Sequence, residues 1–212
     1  MPLVSVVVPV RAREETLEDV IAQLSLDERV EVIVAEPPPL GRGAQMNAGA
    51  RRATAPWLLF LHADSRLPAG WADTFERVAS DSSIVGGWFR FALDAPDWQA
   101  RVIERLVAVR VRLWTLPYGD QGLFVRRDVF AALGGFREWP LMEDVDFVRR
   151  LARAGRVVGL PLPLVTSARR WQQDGWFRRS ARNLTLVALY SLGVAPARLA
   201  RWYPGPRAPP AR

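Results

Sequence analysis

Three short polar clusters in this sequence carry carboxylates or a histidine at positions suited to catalysis. They are His62-Ala63-Asp64, Gly119-Asp120-Gln121 and Glu143-Asp144. A carboxylate at the end of a strand can hold a hard cation that bridges two phosphates, and a second carboxylate can act as a general base toward a hydroxyl. Each cluster alone is weak evidence, because Asp and Glu also cap turns and helices. Together they predict an acidic pocket suited to a metal-bound diphosphate donor and a carboxylate base.

The elements that would position these clusters follow an α/β pattern. Buried strands are predicted at Leu3–Pro9, Glu31–Ala35 and Trp57–Leu61, with a helix opened by Glu14 in the first gap and one at Ala44–Ala53 in the second. This alternation predicts right-handed crossovers and a mostly parallel sheet flanked by helices. Ligands of such sheets bind beyond the carboxyl ends of the strands, which is where the first polar cluster follows the third strand.

The second half of the chain continues this pattern. We predict a strand at Ile84–Phe91, a long amphipathic helix at Trp98–Trp114, a short strand at Leu123–Val125 and a helix that begins at Glu143 and ends at Gly155. The apolar face of the long helix is predicted to consist of Val102, Leu106, Val109 and Leu113.

Composition excludes several classes of site. The chain of 212 residues has no cysteine, so disulfides and thiolate metal sites are excluded. Its one histidine, His62, excludes catalytic histidine pairs and metal sites built from several histidines. The N-terminus has no basic leader before an apolar run, which predicts a cytoplasmic protein.

The positive charge lies in the C-terminal part of the chain. All 29 basic residues are arginine, and nine of them follow residue 166 beside a single acid, Asp174. Such a segment attracts phosphates, anionic lipid or nucleic acid, but no nucleic-acid-binding motif accompanies it, so we predict no nucleic-acid partner. Its apolar stretch, Leu184–Val194, is shorter than the roughly 20 residues that cross a bilayer. It could lie on an anionic membrane surface or pack as a core helix with a solvated basic face.

Several motifs, taken in order, resemble the family 2 glycosyltransferases, which have the GT-A fold. They are Val4–Pro9 with Glu14, Gln45–Gly49, Leu58–Asp64, Tyr118–Gln121, Gly134–Phe136 and Glu143-Asp144. The phrases around His62 and at Ser167–Trp171 are most similar to a short bacterial subgroup, the radical-SAM/selenodomain-associated transferase 2 proteins. The similarity extends from about Leu3 to Tyr203. The resemblance implies a GT-A catalytic domain at 1–166, a basic, aromatic helical segment packed on it at 167–206 and a disordered tail at 207–212.

The resemblance also implies roles for individual residues. Asp64 would ligate Mn²⁺ or Mg²⁺ on the donor diphosphate, and Asp144, beside Glu143, would be the catalytic base of an inverting enzyme. Asp120 and Gln121 would face the sugar or the acceptor. The remaining implied residues would bind the nucleotide-sugar donor, which is UDP- or GDP-linked: Pro9, Glu14, Arg42, Asn47, His62, Arg169, Arg170 and Trp171.

The sequence departs from the family pattern at two places. The nucleoside-binding loop after the second strand, usually of Asp-Gly-Gly-Ser type, is replaced by Glu36-Pro37-Pro38-Pro39-Leu40. The Asp-X-Asp position keeps one carboxylate, Asp64, and has His62 in place of the first. This histidine could ligate the metal, donate to a phosphate or pack; we favour a role other than metal ligation, because oxygen ligands suit Mg²⁺ and Mn²⁺.

Taken together, the sequence predicts a metal-dependent glycosyltransferase that acts on a hydroxyl acceptor. The basic, aromatic tail favours an acceptor that is lipid-linked or close to the inner face of the membrane. Two other functions stay open at this point. A nucleotidyltransferase would use the same metal carboxylate, although its glycine-rich, lysine-containing loop after the first strand is missing. A degenerate scaffold would keep the fold and bind a partner without catalysis.

Overall fold

The computed structural model describes residues 1–10, 16–36 and 41–203. In this part of the chain, helices cover a mixed sheet of seven strands. The strands are β1 (Val4–Pro9), β2 (Val30–Ala35), β3 (Trp57–Phe60), β4 (Ser65–Arg66), β5 (Ile84–Leu93), β6 (Leu123–Arg126) and β7 (Arg156–Thr166). The helices are α1 (Leu17–Leu24), α2 (Arg42–Arg52), α3 (Trp71–Ala79), α4 (Trp98–Trp114), α5 (Arg127–Ala132), α6 (Glu143–Ala154), α7 (Arg169–Asp174), α8 (Trp176–Ser191) and α9 (Pro196–Ala200).

The predicted α/β class is confirmed, and the sheet has the order β2-β1-β3-β6-β5-β7-β4. Strand β1 pairs in parallel with β2 and β3, and β5 pairs in parallel with β7. Strand β6 runs antiparallel to both of its neighbours, β3 and β5, and β4 runs antiparallel to β7. The sheet is therefore more mixed than the sequence pattern predicts, because the direction of β6 is set by its pairing with β3, which is distant in the sequence.

The sheet is buried on both faces around β1 and β3, as the continuous apolar runs predict. Val4, Val6 and Val8 pack on the side of α1 and α3, whereas Val7 packs with Ile33 and residues of α2 and α6 on the other side. This alternation follows the two-residue period of a strand. The buried centre of the sheet gives the site a rigid base.

The antiparallel arrangement of β3 and β6 brings two of the polar clusters to one edge. Phe60 at the end of β3 pairs with Leu123 at the start of β6. The segment after β3 carries His62-Ala63-Asp64, and the segment before β6 carries a short 3₁₀ turn at Gly119–Gln121. The parallel strand β1 also ends at this edge, at Pro9.

Helix α4 has the predicted position but not the expected burial. Its buried side chains are Ala100, Ile103 and Arg110. The apolar face predicted from the sequence is largely exposed: Leu106, Val109 and Leu113 keep 56%, 52% and 64% of their surface accessible.

The C-terminal helices α7, α8 and α9 pack against the body. Trp171 in α7 contacts Phe91 of β5, and Leu199 in α9 is fully buried beside Leu116 and Met142. In the apolar stretch that begins in α8, Leu186 is buried whereas Leu184 keeps 51% of its surface accessible. No helix in the described ranges is long and apolar enough to cross a membrane.

Candidate active site

A small pocket lies at the sheet edge where the polar clusters meet, and it brings together four residues predicted from the sequence. Those four are Pro9, Arg42, His62 and Asp144. They come from the end of β1, the start of α2, the segment after β3 and the start of α6. The other residues that line it are Met46, Phe60, Gly119, Leu123 and Phe136. We call it the Asp144 pocket.

Asp144 is held by two backbone amides. The N–H of Gly119 donates to its Oδ2 at 2.7 Å, and the N–H of Val145 donates to its Oδ1 at 2.8 Å. A side chain at position 119 would place its Cβ 3.1 Å from Oδ2, so glycine permits this close approach. Each carboxylate oxygen keeps a further lone pair. Asp144 can therefore accept a hydrogen bond, or a proton, from a group in the pocket.

Glu143 differs from Asp144 in its surroundings. Its side chain is buried, and its Oε1 lies 3.8 Å from Nε of Arg42. Burial raises the pKa of Glu143, the neighbouring Asp144 raises it further, and Arg42 opposes both effects. The two adjacent carboxyl groups therefore lie in different surroundings, Glu143 buried beside Arg42 and Asp144 at the pocket.

Asp120 lies in the 3₁₀ turn beside the pocket. Burial raises its pKa from 3.8 to about 6; Arg110 opposes the shift and Asp144 adds to it. Asp120, Glu143 and Asp144 therefore interact electrostatically, with the Arg42 guanidinium as a nearby cation.

The backbone just before the acidic pair adopts an unusual conformation. Met142 has φ +70°, in the left-handed region that non-glycine residues seldom occupy, and its side chain is buried. It precedes the first residue of α6, which is Glu143. Such conformations persist where the surrounding structure enforces them.

Gln121 was predicted to face the sugar or the acceptor, but its side chain is buried and hydrogen-bonded within the protein. Its Oε1 accepts from Nη2 of Arg110 at 3.1 Å and from the N–H of Tyr118 at 3.2 Å, and its Nε2 donates to the carbonyl of Phe89 at 3.4 Å. This geometry favours a structural role, in which Gln121 anchors the turn that carries Asp120.

Asn47 was predicted to contact the nucleotide or its phosphates. In the structure its amide makes two hydrogen bonds of 2.9 Å to the backbone of Phe136, one to the N–H and one to the carbonyl. Asn47 thus fixes the loop after α5 to helix α2. Because Phe136 lines the Asp144 pocket, the contact of Asn47 with the site is indirect in this structure.

His62 and Asp64 line two different cavities in the surface. Nε2 of His62 is 3.1 Å from Nη1 of Arg42 in the Asp144 pocket. Asp64 lines a second groove, whose other residues are Thr16, Asp19, Val20, Arg66, Asp94 and Ser167. We call it the Asp64 groove.

The Asp64 groove fits a cation only in part. Asp64 is half-buried and makes no hydrogen bond or ion pair with another residue in the described part of the chain. Asp94 already accepts a hydrogen bond of 2.6 Å from the N–H of Ala168. No three acidic or histidine side chains of the described residues converge closely enough to form a complete metal site. The donor set therefore suits a cation that takes one or two carboxylates and completes its shell with phosphate oxygens.

The Arg169-Arg170-Trp171 segment begins next to the Asp64 groove. Strand β4 pairs with β7, and Ser65 Oγ donates to Thr166 Oγ1 at 3.1 Å, which brings Ser167 to the groove. Arg169 is exposed and Arg170 is half-buried.

Trp171 has a different environment from the two arginines. It is buried, with Phe91 at 5.8 Å between ring centroids, and its Nε1 donates to Ser180 Oγ at 3.3 Å. Its geometry is that of a core side chain.

Glu14, predicted to contact the donor, lies outside the described residues. So does the Pro37–Leu40 part of the loop that departs from the family pattern.

Sequence reasoning missed Arg110. This residue of α4 is buried, donates to the carbonyl of Leu116 and to Gln121, and stacks at 3.5 Å over the Tyr118 ring. Its spacing of seven from Ile103 places it on the buried face of the helix, and this is the signal that could have identified it. The other arginines of α4 do not share that spacing.

Comparison with known proteins agrees with this fold. The family model described as glycosyl transferase family 2 matches residues 17–134, more than half of the chain. No curated protein sequence matches the chain significantly.

Several solved structures share the fold at low sequence identity. A mannosyltransferase from Pyrobaculum calidifontis, PcManGT, in complex with GDP-Man and Mn²⁺, has a TM-score of 0.65 at 17% identity, over 94% of this chain and 68% of that one. S. aureus TarS with UDP-GlcNAc has a TM-score of 0.59 at 13% identity, over 79% and 58% of the two chains. GalNAc-T7 with UDP, GalNAc and Mn²⁺ has a TM-score of 0.56 at 14% identity, over 78% and 44%. The chain thus spans less than two thirds of TarS and of GalNAc-T7. The family match and the shared GT-A fold lead to one conclusion: this chain belongs to glycosyl transferase family 2 and is a glycosyltransferase.

Proposed function

We propose that this enzyme transfers a sugar from a nucleotide-sugar donor to a hydroxyl acceptor, with Asp144 as the general base and with inversion at the anomeric carbon. The observation that carries this proposal is the Asp144 carboxylate itself. Two backbone N–H groups fix its orientation in a pocket that also contains Arg42 and His62. Catalysis by proton transfer requires this combination of an oriented carboxylate and an accessible cavity.

The reaction needs one proton acceptor and one stabilised leaving group. The acceptor oxygen attacks the anomeric carbon while its proton passes to an Oδ atom of Asp144. The bond between that carbon and the diphosphate oxygen breaks, and the nucleoside diphosphate leaves with the electron pair. A single displacement requires no covalent nucleophile on the protein.

Glu143 is the poorer candidate for the base. Burial raises its pKa, so its ionised form is disfavoured, and Arg42 lies on its outer side. We assign Glu143 to holding the Arg42 guanidinium in place. Arg42 then faces the negative charge that develops on the leaving diphosphate, which a guanidinium can bind through two parallel hydrogen bonds.

A divalent cation, Mn²⁺ or Mg²⁺, would be held by Asp64 and by the donor diphosphate. When bound, it supplies positive charge that stabilises the leaving group. Among the described residues, no three acidic or histidine side chains converge into a complete metal site, which supports a cation that arrives with the donor. Arg169 and Arg170 lie two and three positions after Ser167 of the same groove and would add positive charge beside the diphosphate. Asp120, in the turn next to Asp144, would face the sugar or the acceptor.

The acceptor and the place of reaction belong to the same proposal. We place the enzyme in the cytoplasm, at the inner face of the membrane, with an acceptor that is lipid-linked or close to the bilayer. The basic C-terminal segment supports this placement through its attraction for anionic lipid.

Calorimetric binding of UDP, GDP and their sugars, with and without Mn²⁺, tests the donor site. The wild type should bind one nucleotide in a metal-dependent manner, and Asp64→Ala should lose the metal-dependent part. Asp144→Asn is the matched control: it should bind the donor as the wild type does but transfer sugar about 10²–10⁴-fold more slowly. Absence of binding by every nucleotide would favour a degenerate scaffold. Normal transfer by Asp144→Asn would refute the assignment of the base.

A further inference from the structure

Helix α4 exposes an apolar stripe along its whole length. Trp98, Leu106, Val109 and Leu113 keep between 52% and 64% of their surface accessible, and Val102 between them is half-buried. The intervals of four, four, three and four residues keep these side chains on one face of a helix. Phe177 of α8 extends the stripe, with its ring 6.0 Å from that of Trp98. We call these residues, together with the exposed Trp114 at the end of the helix, the α4 face.

The charge around the α4 face is mostly positive. Arg105, Arg112 and Arg178 are exposed on the same two helices. Of the nearby acids, Glu104 pairs with Arg101 at 3.0 Å and Asp174 pairs with Arg179 and Arg182 at 2.8 Å, while Asp97 directly precedes Trp98 at the start of α4. The α4 face is therefore apolar in the middle and positive at its margin.

The apolar centre and positive margin of the α4 face can be compared with what two candidate partners, a second copy of the chain and a bilayer, would offer it. A second copy of the chain, related by a two-fold axis, would bring the same arginines together across the interface, with Asp97 as the one nearby acid not already in an ion pair among the described residues of α4 and α8 and their first turns. An anionic bilayer instead offers acyl chains for the apolar stripe and phosphates for the arginines, and tryptophan side chains favour the boundary between the two.

The α4 face is also close to the proposed active site. Arg110 on the inner face of α4 holds the turn that contains Asp120, through Gln121 and Tyr118. Gly119 lies five positions after Trp114, so the chain between them spans at most about 18 Å. Gly119 in turn donates to Asp144.

We propose that the α4 face docks on an anionic bilayer and thereby presents the Asp144 pocket to an acceptor hydroxyl carried by a molecule of that bilayer. This proposal rests on the proposed function for the identity of the reaction, while the docking itself is independent of catalysis. It differs from the expectation based on the basic tail, because the main apolar contact is made by α4 and only its margin by the C-terminal helices.

Vesicle co-sedimentation tests the docking. The wild type should sediment with vesicles of equal parts phosphatidylglycerol and phosphatidylcholine and remain in solution with phosphatidylcholine alone. The variant Leu113→Glu/Trp114→Glu should lose at least roughly tenfold in partitioning, because two exposed apolar anchors are replaced by acids. Leu26→Glu is the matched control: Leu26 is an exposed leucine after α1, and its replacement should leave partitioning unchanged.

Donor binding separates failure of this proposal from failure of the proposed function. The double variant should bind the nucleotide in the calorimeter as the wild type does. Equal sedimentation of the double variant and the wild type would overturn the proposal, as would a wild type that stays in solution with both kinds of vesicle. A wild type that forms dimers, which the double variant abolishes, without sedimenting would also overturn it and assign the α4 face to a second copy.

Discussion

At the scale of single residues, Asp144 and Glu143 are adjacent in sequence but lie in different surroundings. Asp144 receives two backbone N–H donors in an accessible pocket, whereas Glu143 is buried against Arg42. The resemblance implied Asp144 as the base beside Glu143, but the sequence does not show how the surroundings of the two side chains differ. That difference depends on Gly119, 25 positions before Asp144, which only the folded chain brings into contact with it.

Asp120 gives a prediction about pH at the same scale. Its pKa is raised from 3.8 to about 6 in the folded protein, first of all by burial. Between these values the folded state binds a proton that the unfolded state has released, so the free energy of unfolding should fall as pH rises from about 4 to about 6. Above that range the contribution should be constant.

Denaturant unfolding at a series of pH values, with Asp120→Asn beside the wild type, measures this effect. The variant cannot titrate at this position and should lack that decrease. The difference in unfolding free energy between variant and wild type should therefore grow in favour of the variant as the pH passes through the window. A difference that is constant with pH would mean that Asp120 is not buried in solution as it is here.

At the scale of elements, Asn47 joins α2 to the loop after α5. Replacement by alanine removes both hydrogen bonds to the backbone of Phe136, a buried residue, and leaves its N–H and carbonyl without these partners. We expect Asn47→Ala to lower the free energy of unfolding by about 1–3 kcal/mol and to weaken nucleotide binding indirectly. Asn47→Asp keeps the acceptor for the Phe136 N–H and should lose less stability.

Equilibrium unfolding and calorimetry on the same samples distinguish this role from the one that the resemblance implies. An Asn47→Ala variant as stable as the wild type but unable to bind nucleotide would indicate direct contact with the donor. Loss of stability in parallel with loss of binding supports the structural role.

The success of sequence reasoning also differs between elements. Strands β1 and β3 could be predicted because burial on both faces leaves an uninterrupted apolar run. Helix α4 was predicted in extent but not in orientation, since periodicity shows that a helix has an apolar face and does not show what covers it. Strand β6 was predicted as a strand, yet its antiparallel direction depends on a distant pairing with β3.

At the scale of the whole molecule, Asp174 holds the C-terminal helices together. Its Oδ2 accepts from Arg179 and from Arg182, both at 2.8 Å. The hydrogen bond from Arg182, followed by that from Arg179, lowers the pKa of Asp174, although burial opposes them. The carboxylate thus stabilises the segment above its unfolded pKa of 3.8, and this contribution should be lost as the pH falls below that value.

Asp174→Asn should remove this contribution at neutral pH. We expect faster amide hydrogen exchange in α8 and a decrease of about 1–3 kcal/mol in local stability, because the buried Arg179 guanidinium loses its carboxylate. Asp73→Asn is the control: it removes an exposed ion pair with Arg29 and should leave exchange in α8 unchanged. Unaltered exchange in Asp174→Asn would show that apolar packing alone holds the segment.

The site as a whole was only partly visible in the sequence. The motifs predicted that Pro9, Arg42, His62 and Asp144 belong to one site, and the pocket brings these four together. They could not predict that His62 and Asp64, two positions apart, open into different hollows. Nor could they separate core residues such as Trp171 from surface arginines in the same motif, because burial is a property of the folded chain.

The left-handed backbone at Met142 links the active-site carboxylates to the C-terminal helices. That conformation costs about 1–2 kcal/mol, which burial of the side chain, worth about 1.5–3 kcal/mol, can offset. The side chain packs in the same apolar cluster as Leu186 and Leu199 of the C-terminal helices. Packing against the C-terminal helices therefore helps to hold the start of α6 in its strained backbone conformation. If that segment loosens, Met142 can relax and Asp144 can tilt away from Gly119, so we expect Asp174→Asn to lose transfer activity before it loses its overall fold.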